Sequence, residues 1–279
     1  MVRYREIQPT ALLRPFVRIF WTLEQDDDGA APQRIVPDGC PELILNRGQP
    51  FESFENGQWR RQPLCFLAGQ IDGPLILRPK GPARVLGIRF HPDGAARIFP
   101  EPMHELRGRF TPVEDLSTEL SRNLEDALDA SDPLADVETA LFSAARTSRR
   151  GDPLIAEAVR RITVARGPFE IAGLARELGL SPRQFERRFS FAVGLAPKLF
   201  CRIHRFSNVF RALQGASCDW AGTALRCGYY DQAHLIRDCK GFSGSTPAIL
   251  LANDGDLARH FYQGFAMSHP SNTTGSTLL

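Results

Sequence analysis

The feature that most constrains this chain is a pattern that occurs twice in its C-terminal half. Ile171-x-x-x-Ala175-x-x-x-Gly179 returns as Trp220-x-x-x-Ala224-x-x-x-Gly228, displaced by 49 positions. Phe185-x-Arg187-x-Phe189 returns as Leu235-x-Arg237-x-Cys239, and Gly194-x-x-Pro197 as Gly244-x-x-Pro247, both displaced by 50. One register therefore runs through a whole unit, with one residue added in the second turn. A lone Ala-x-x-x-Gly occurs by chance in helical sequences; two copies with aromatic, Arg, Gly and Pro positions in step do not.

Each position has a reason in a helix-turn-helix. Small Ala175 and Ala224 let the first helix approach the second, and Gly179 and Gly228 end it where positive φ is required. Ser181-Pro182-Arg183-Gln184 supplies an N-cap, a proline at the first helical position and a Gln at the third. Phe185 and Phe189, four apart, face inward and leave Arg183, Glu186 and Arg187 outside; in the second unit Leu235 and Cys239 face inward and leave Gln232, Ala233, Ile236 and Arg237 outside or at the margin. Residues 197–213 read as one amphipathic helix of about 25 Å, enough to hold two reading helices roughly one DNA turn apart.

Arginine can bond guanine O6 and N7 together, and glutamine adenine N6 and N7. Arg187 and Arg237 are the first candidates for base readout; Lys198, Arg202, Arg205 and Lys240 suit phosphates, which fix register without reading sequence. The alternative for each arginine is a solvated face or an internal ion pair. The charge balance supports a polyanion partner: residues 151–250 hold 14 Lys and Arg against 8 Asp and Glu, whereas the remainder holds 20 against 24.

The N-terminal half reads differently. Short β-prone runs at 16–23, 43–45, 64–67, 75–77 and 85–90, set among Pro and Gly, predict an antiparallel sheet or barrel. Pro79-Lys80-Gly81-Pro82 predicts a hairpin over 75–90. Thr111-Pro112-Val113-Glu114 has the form of a capping box opening a helix, with Leu116, Leu120, Leu124 and Leu128 on one stripe. Asp132-Pro133 opens a second helix with Leu134, Val137 and Leu141 inward. The pair packs on the sheet or forms a subunit interface. Residues 147–153 are polar and turn-rich and serve as the linker. The expected fold is thus α+β: a β-rich domain and two amphipathic helices over 1–150, an all-α domain of two helix-turn-helix units joined by a long helix over 151–252, and a tail, 253–279. Residues 256–263 of the tail can dock back on the body, while its Ser/Thr/Asn-rich end is expected to be disordered.

The C-terminal segment, about residues 153–251, resembles the tandem helix-turn-helix domain of the AraC family of bacterial transcription regulators; residues 224–247 are similar to its most specific signature. The resemblance implies base or backbone contacts at Arg183, Glu186, Arg187, Gln232, Ala233 and Arg237. Tyr230 stands where the family usually has Ser or a similar cap, and Leu235 and Cys239 where it usually has Phe; Asp231 is the alternative cap. Residues 35–45 and 86–92 resemble the cupin-like sensor portion of a subset of that family. The expectations that follow are double-stranded DNA as partner, a small-molecule effector on the N-terminal domain, a homodimer, RNA polymerase contact and no cofactor.

Other readings are weaker. A metal enzyme wants several His and carboxylates on facing strands, yet the β region holds only His91 before His104, with no H-x-H pair. Six scattered cysteines without a C-x-x-C pair suggest buried, reduced thiols, with a redox role for Cys40 as the exception to test. No apolar run reaches the roughly 18 residues of a membrane span, and a cytoplasmic regulator is the expectation. A helical module that binds protein rather than DNA is the competing reading of the repeat.

Overall fold

A computed structural model describes residues 2–26, 31–130, 132–148, 151–165, 169–212 and 219–252; the tail, Cys218, Leu213 and both linker arginines, Arg149 and Arg150, lie outside them. The strands are β1 (Val2–Ile7), β2 (Val17–Gln25), β3 (Gln33–Ile35), β4 (Glu42–Asn46), β5 (Glu52–Glu55), β6 (Gln58–Arg61), β7 (Cys65–Ala68), β8 (Leu75–Arg78), β9 (Ala83–Phe90) and β10 (Phe110–Pro112). They form two sheets, ordered β1-β2-β9-β4-β7-β10 and β3-β8-β5-β6, and every pairing is antiparallel.

The larger sheet is buried on both faces, which is why its central strands read as continuous apolar runs. On β4, Leu43 and Leu45 join one core, while Ile44 joins the other, between the sheets, with Trp21, Phe51 and Phe66. Gly87 on β9 is small because Trp21 lies over it: a Cβ there would meet the indole at 2.0 Å. The first core is closed by α1 (Val113–Leu116), α2 (Thr118–Asp129) and α3 (Pro133–Thr147), which contribute Leu120, Leu124, Val137 and Leu141. The packing alternative thus accounts for this face of the helix pair.

Two local expectations fail here. Residues 75–90 are not a hairpin: β8 pairs with β3 and β5, and β9 with β2 and β4, so the Pro-Gly segment is a corner from one sheet to the other. Thr111 and Pro112 do not open a helix but close the larger sheet, opposite Leu67 and Phe66. The long helix is instead capped by Ser117, whose Oγ accepts from the Leu120 amide at 3.2 Å, and Leu116 falls in the separate short turn before it. Asp132 caps α3 as expected, accepting from the Ala135 amide.

The C-terminal helices are α4 (Pro153–Val164), α5 (Ile171–Glu177), α6 (Pro182–Val193), α7 (Pro197–Ala212), α8 (Trp220–Arg226), α9 (Gln232–Ser243) and α10 (Pro247–Ala252). Phe185, Phe189, Phe200, Phe206 and Ile203 are nearly fully buried in one cluster that draws on α4 to α7 and also takes in Cys239 and Phe242 of α9 and Leu250 of α10. Each contributes roughly 1.5–3 kcal/mol by leaving water, so the first unit and the connecting helix share a core. Val36, from the N-terminal domain, belongs to that cluster.

Candidate nucleic-acid interface

The two units are built alike. Helices α5 and α6, and α8 and α9, are joined by turns in which Gly179 and Gly228 have φ of 69° and 78°, and Ala175 and Ala224 are buried at the crossings. The Ser181 hydroxyl accepts from the Gln184 amide and the Gln184 carboxamide oxygen accepts from the Ser181 amide, completing the capping box. In the second unit Asp231 is the cap, accepting from the His234 amide at 2.6 Å. Both helices end at left-handed glycines, Gly194 and Gly244.

With Phe185, Phe189, Leu235 and Cys239 buried, the opposite faces are open. Arg183, Glu186 and Arg187 on α6 and Gln232, Ala233 and Arg237 on α9 are all exposed, and Ile236 is half-buried at the edge. None of Arg183, Arg187 and Arg237 takes part in an ion pair with another described residue. The guanidinium groups on each face are therefore available to an outside partner, at repeat-equivalent positions in the case of Arg187 and Arg237.

The connecting helix behaves differently. Lys198 is exposed, as is Lys240 on α9, but Arg202 and Arg205 turn toward Asp238 of α9. Asp238 is 3% exposed; its Oδ1 accepts from Arg202 Nη2 at 2.7 Å, and Oδ2 lies 3.9 Å from Arg205 Nη2. Arg205 also donates to the Gly228 carbonyl and lies over the Tyr229 ring. This network fastens the second unit to α7 in addition to the packing of Phe242 on Phe206. In the first unit Arg188 does the corresponding work, donating Nε and Nη2 to Asp152 at 2.7 Å each. Burial raises the Asp152 pKa, but hydrogen bonds from Arg188 and the α4 amides outweigh it, so the carboxyl sits below its usual range. The partners are 36 residues apart in both cases, a separation that no local pattern reports.

Sequence spacing noted an added residue in the second turn without a role for it. Gly179, Leu180 and Ser181 correspond to Gly228, Tyr229 and Asp231, so the added residue is Tyr230. It precedes the cap of α9 and is 86% exposed.

Residues 174–253 match a family model described as a helix-turn-helix domain. The C-terminal region is a helix-turn-helix domain. Residues 5–112 match a model described as a domain of unknown function. Among solved structures, ToxT from Vibrio cholerae is similar at 11% identity, over 84% of this chain and 98% of that one, with a TM-score of 0.46. A fatty-acid-bound ToxT is similar at 10% identity over 90% and 94%, TM-score 0.44, and the AraC-like transcriptional activator CuxR at 14% over 80% and 91%, TM-score 0.27. No curated protein matches the chain. No described helix is long and apolar enough to cross a membrane.

The N-terminal domain touches both helix-turn-helix units at equivalent places. A Cβ at Gly194 would lie 2.9 Å from the Met103 carbonyl oxygen, and one at Gly244 3.8 Å from Pro74; Arg34 Nη1 donates to Ser245 Oγ. Gly39, at φ 78°, presents its bare Cα to the Phe200 ring, where a Cβ would come within 2.9 Å, and its carbonyl accepts from Gln70 at 2.7 Å. Cys40, next in the turn, is buried; burial and then Asp38 push its thiol up to about 12 despite Arg18 and Arg89. A thiol so protonated is a poor nucleophile, which tells against the redox reading.

Proposed function

We propose that the protein is a sequence-specific transcription regulator whose α6 and α9 enter two successive major-groove segments, and whose N-terminal domain adjusts their relative placement on binding an effector. The observation that carries the DNA reading is the pair of exposed, repeat-equivalent helix faces bearing Arg187 and Arg237 without internal ion pairs. On these faces Arg183, Glu186, Arg187, Gln232, Ala233 and Arg237 contact bases, and Lys198 and Lys240 contact phosphates. Arg202, 47% exposed on its side chain, can meet a phosphate while holding Asp238; Arg205 serves mainly to hold the second unit. Because the units run head to tail, one protomer reads two non-identical elements, and a second protomer in a homodimer adds another pair. The remaining helical surface is left for contact with RNA polymerase.

Effector control is supported by one segment having two duties. Residues 34–42 line a cavity through Arg34, Ile35, Asp38, Cys40 and Glu42, and the same segment docks Val36 and Gly39 on the helix-turn-helix domain. The test of the DNA reading is selection of bound sequences from a random duplex pool. Wild type enriches two short elements about one helical turn apart; Arg187→Ala relaxes one and Arg237→Ala the other, each at about 1–3 kcal/mol. Binding weakens steeply between about 50 and 200 mM salt. No enrichment at low salt refutes the reading and leaves the protein-binding module in its place.

A further inference from the structure

We propose that the N-terminal domain binds a small uncharged molecule with an apolar body, a carbonyl oxygen at one end held by Arg34 and a hydroxyl at the other held by Asn46. This rests on the reading that the domain takes an effector, and adds the effector's chemical class.

Two cavities meet inside this domain. One lies between the sheets, walled by Leu23, Ile44, Phe51 and Phe66. The other opens beside Asp38 and Arg89; Glu42 and Ala68 wall both. The charges of the second cavity balance, since Arg34 and Arg89 stand with Asp38 and Glu42. Arg89, 3% exposed, serves both carboxylates, with Nε 2.6 Å from Glu42 Oε1 and 3.5 Å from Asp38 Oδ2. A charged ligand would bring a charge without a counterpart into this wall and would lose its hydration in doing so. An uncharged one avoids that cost.

Two buried atoms lack hydrogen-bond partners among the described residues, one at each end of the joined space. Arg34 donates Nη1 to Ser245 Oγ, but its Nε has no acceptor. Asn46, 7% exposed, donates Nδ2 to the Pro63 and Leu64 carbonyls, while its Oδ1 has no donor. Glu42, Ile44 and Asn46 alternate along β4 onto the face between the sheets, which sets Asn46 about 13 Å from Glu42 along the strand. Glu42 shares its cavity with Arg34. An occupant that brings an acceptor to the Arg34 end, a donor to the Asn46 end and an apolar middle satisfies both atoms, each of which is costly to leave unpaired. A carbonyl oxygen accepts without donating, and a hydroxyl supplies the donor. Because Arg34 also holds Ser245 in the turn after α9, one guanidinium joins this site to the second helix-turn-helix unit.

The full chain, free of DNA, is titrated by calorimetry with raspberry ketone, a para-hydroxyphenyl butanone, and four relatives. Para-butylphenol lacks the carbonyl and benzylacetone lacks the hydroxyl; tyramine is a cation and phloretate an anion. Raspberry ketone binds at least about fivefold tighter than para-butylphenol or benzylacetone, each of which leaves one buried group unpaired. It binds at least about tenfold tighter than tyramine or phloretate. Arg34→Met, which keeps the length of the side chain and removes the donor, cuts the preference for raspberry ketone over para-butylphenol by at least about fivefold. Ser245→Ala, which removes only the outer contact of Arg34, leaves the ranking unchanged. Losses smaller than these, a charged analogue that binds as tightly, or no binding of raspberry ketone each overturns the proposal. The wild-type ranking decides even if a variant fails to fold. A charged analogue in first place overturns the class and leaves effector control standing, and duplex selection, run without these compounds, succeeds or fails independently.

Discussion

Tyr230 is the largest exposed side chain in the second unit, and packing offers no reason for it to be aromatic. Its neighbour Tyr229 fills the core position at 3% exposure, while Tyr230 stands out at 86% beside the N-terminus of the reading helix. In a helix docked by its N-terminal turn, that place faces the DNA backbone and the first base edge. A ring there can lie on a sugar or a thymine methyl, and its hydroxyl can donate to a phosphate. Tyr230→Ala should weaken binding to the selected duplex by about 1 kcal/mol, roughly fivefold, with an unchanged melting temperature because little area is buried. Tyr230→Phe separates the two contributions: full affinity assigns the contact to the ring, and an alanine-like loss assigns it to the hydroxyl. Cys40 carries the opposite expectation. With its thiol pushed up to about 12 by burial, it should resist iodoacetamide in the native protein at neutral pH and react once denaturant is added, as read by peptide mass. Rapid native labelling would restore the sensor reading.

At the scale of elements, α4 and α6 are joined by one residue with two tasks, since Asp152 caps α4 and takes both nitrogens of Arg188. Its folded pKa is lowered, so the stabilisation is fully present above the unfolded value of about 3.9 and is lost as pH falls through the folded value. Asp152→Asn keeps a capping oxygen and loses the charge pair. Its cost at neutral pH should be about 1 kcal/mol, discounted for solvent screening, and the gap to wild type should close in acid melts; a gap independent of pH would mean that the charge contributes nothing. The helix-turn-helix elements were legible because their determinants are local: caps, turn glycines and inward residues four apart. The sheets were less so, because strand partners are chosen by distant segments. β8 and β9 are neighbours in sequence, yet each finds better-placed edges in opposite sheets. The cap-like Thr111-Pro112 gives way to pairing with β7. One missed hairpin was readable: Asn56-Gly57, both at positive φ, joins β5 to β6. Of the candidate site, the exposed faces followed from periodicity, whereas the fates of Arg202, Arg205 and Arg188 depended on carboxylates brought in by folding.

For the whole molecule, the decisive arrangement is that the N-terminal domain meets α6 and α9 at their matching C-terminal glycines while its 34–42 segment rests on α7. A body that touches both reading helices restrains their spacing more than α7 could alone, since a single helix bends gently along its length. Gly39 is the point at which this restraint can be removed without touching either reading face. Gly39→Ala places a Cβ 2.9 Å from the Phe200 ring at a φ that L-residues rarely adopt, so the turn should lift from α7. The variant should then show a larger radius of gyration in solution scattering and enrich the same two DNA elements as wild type. Its tolerance of spacing should widen by about one or two base pairs around the helical turn, because base readout is intact and only the distance between readers is freed. If scattering shows the domains apart and the spacing preference stays sharp, α7 and the Arg202–Asp238–Arg205 network fix the geometry unaided. The N-terminal domain would then have to act on something other than the placement of α6 and α9.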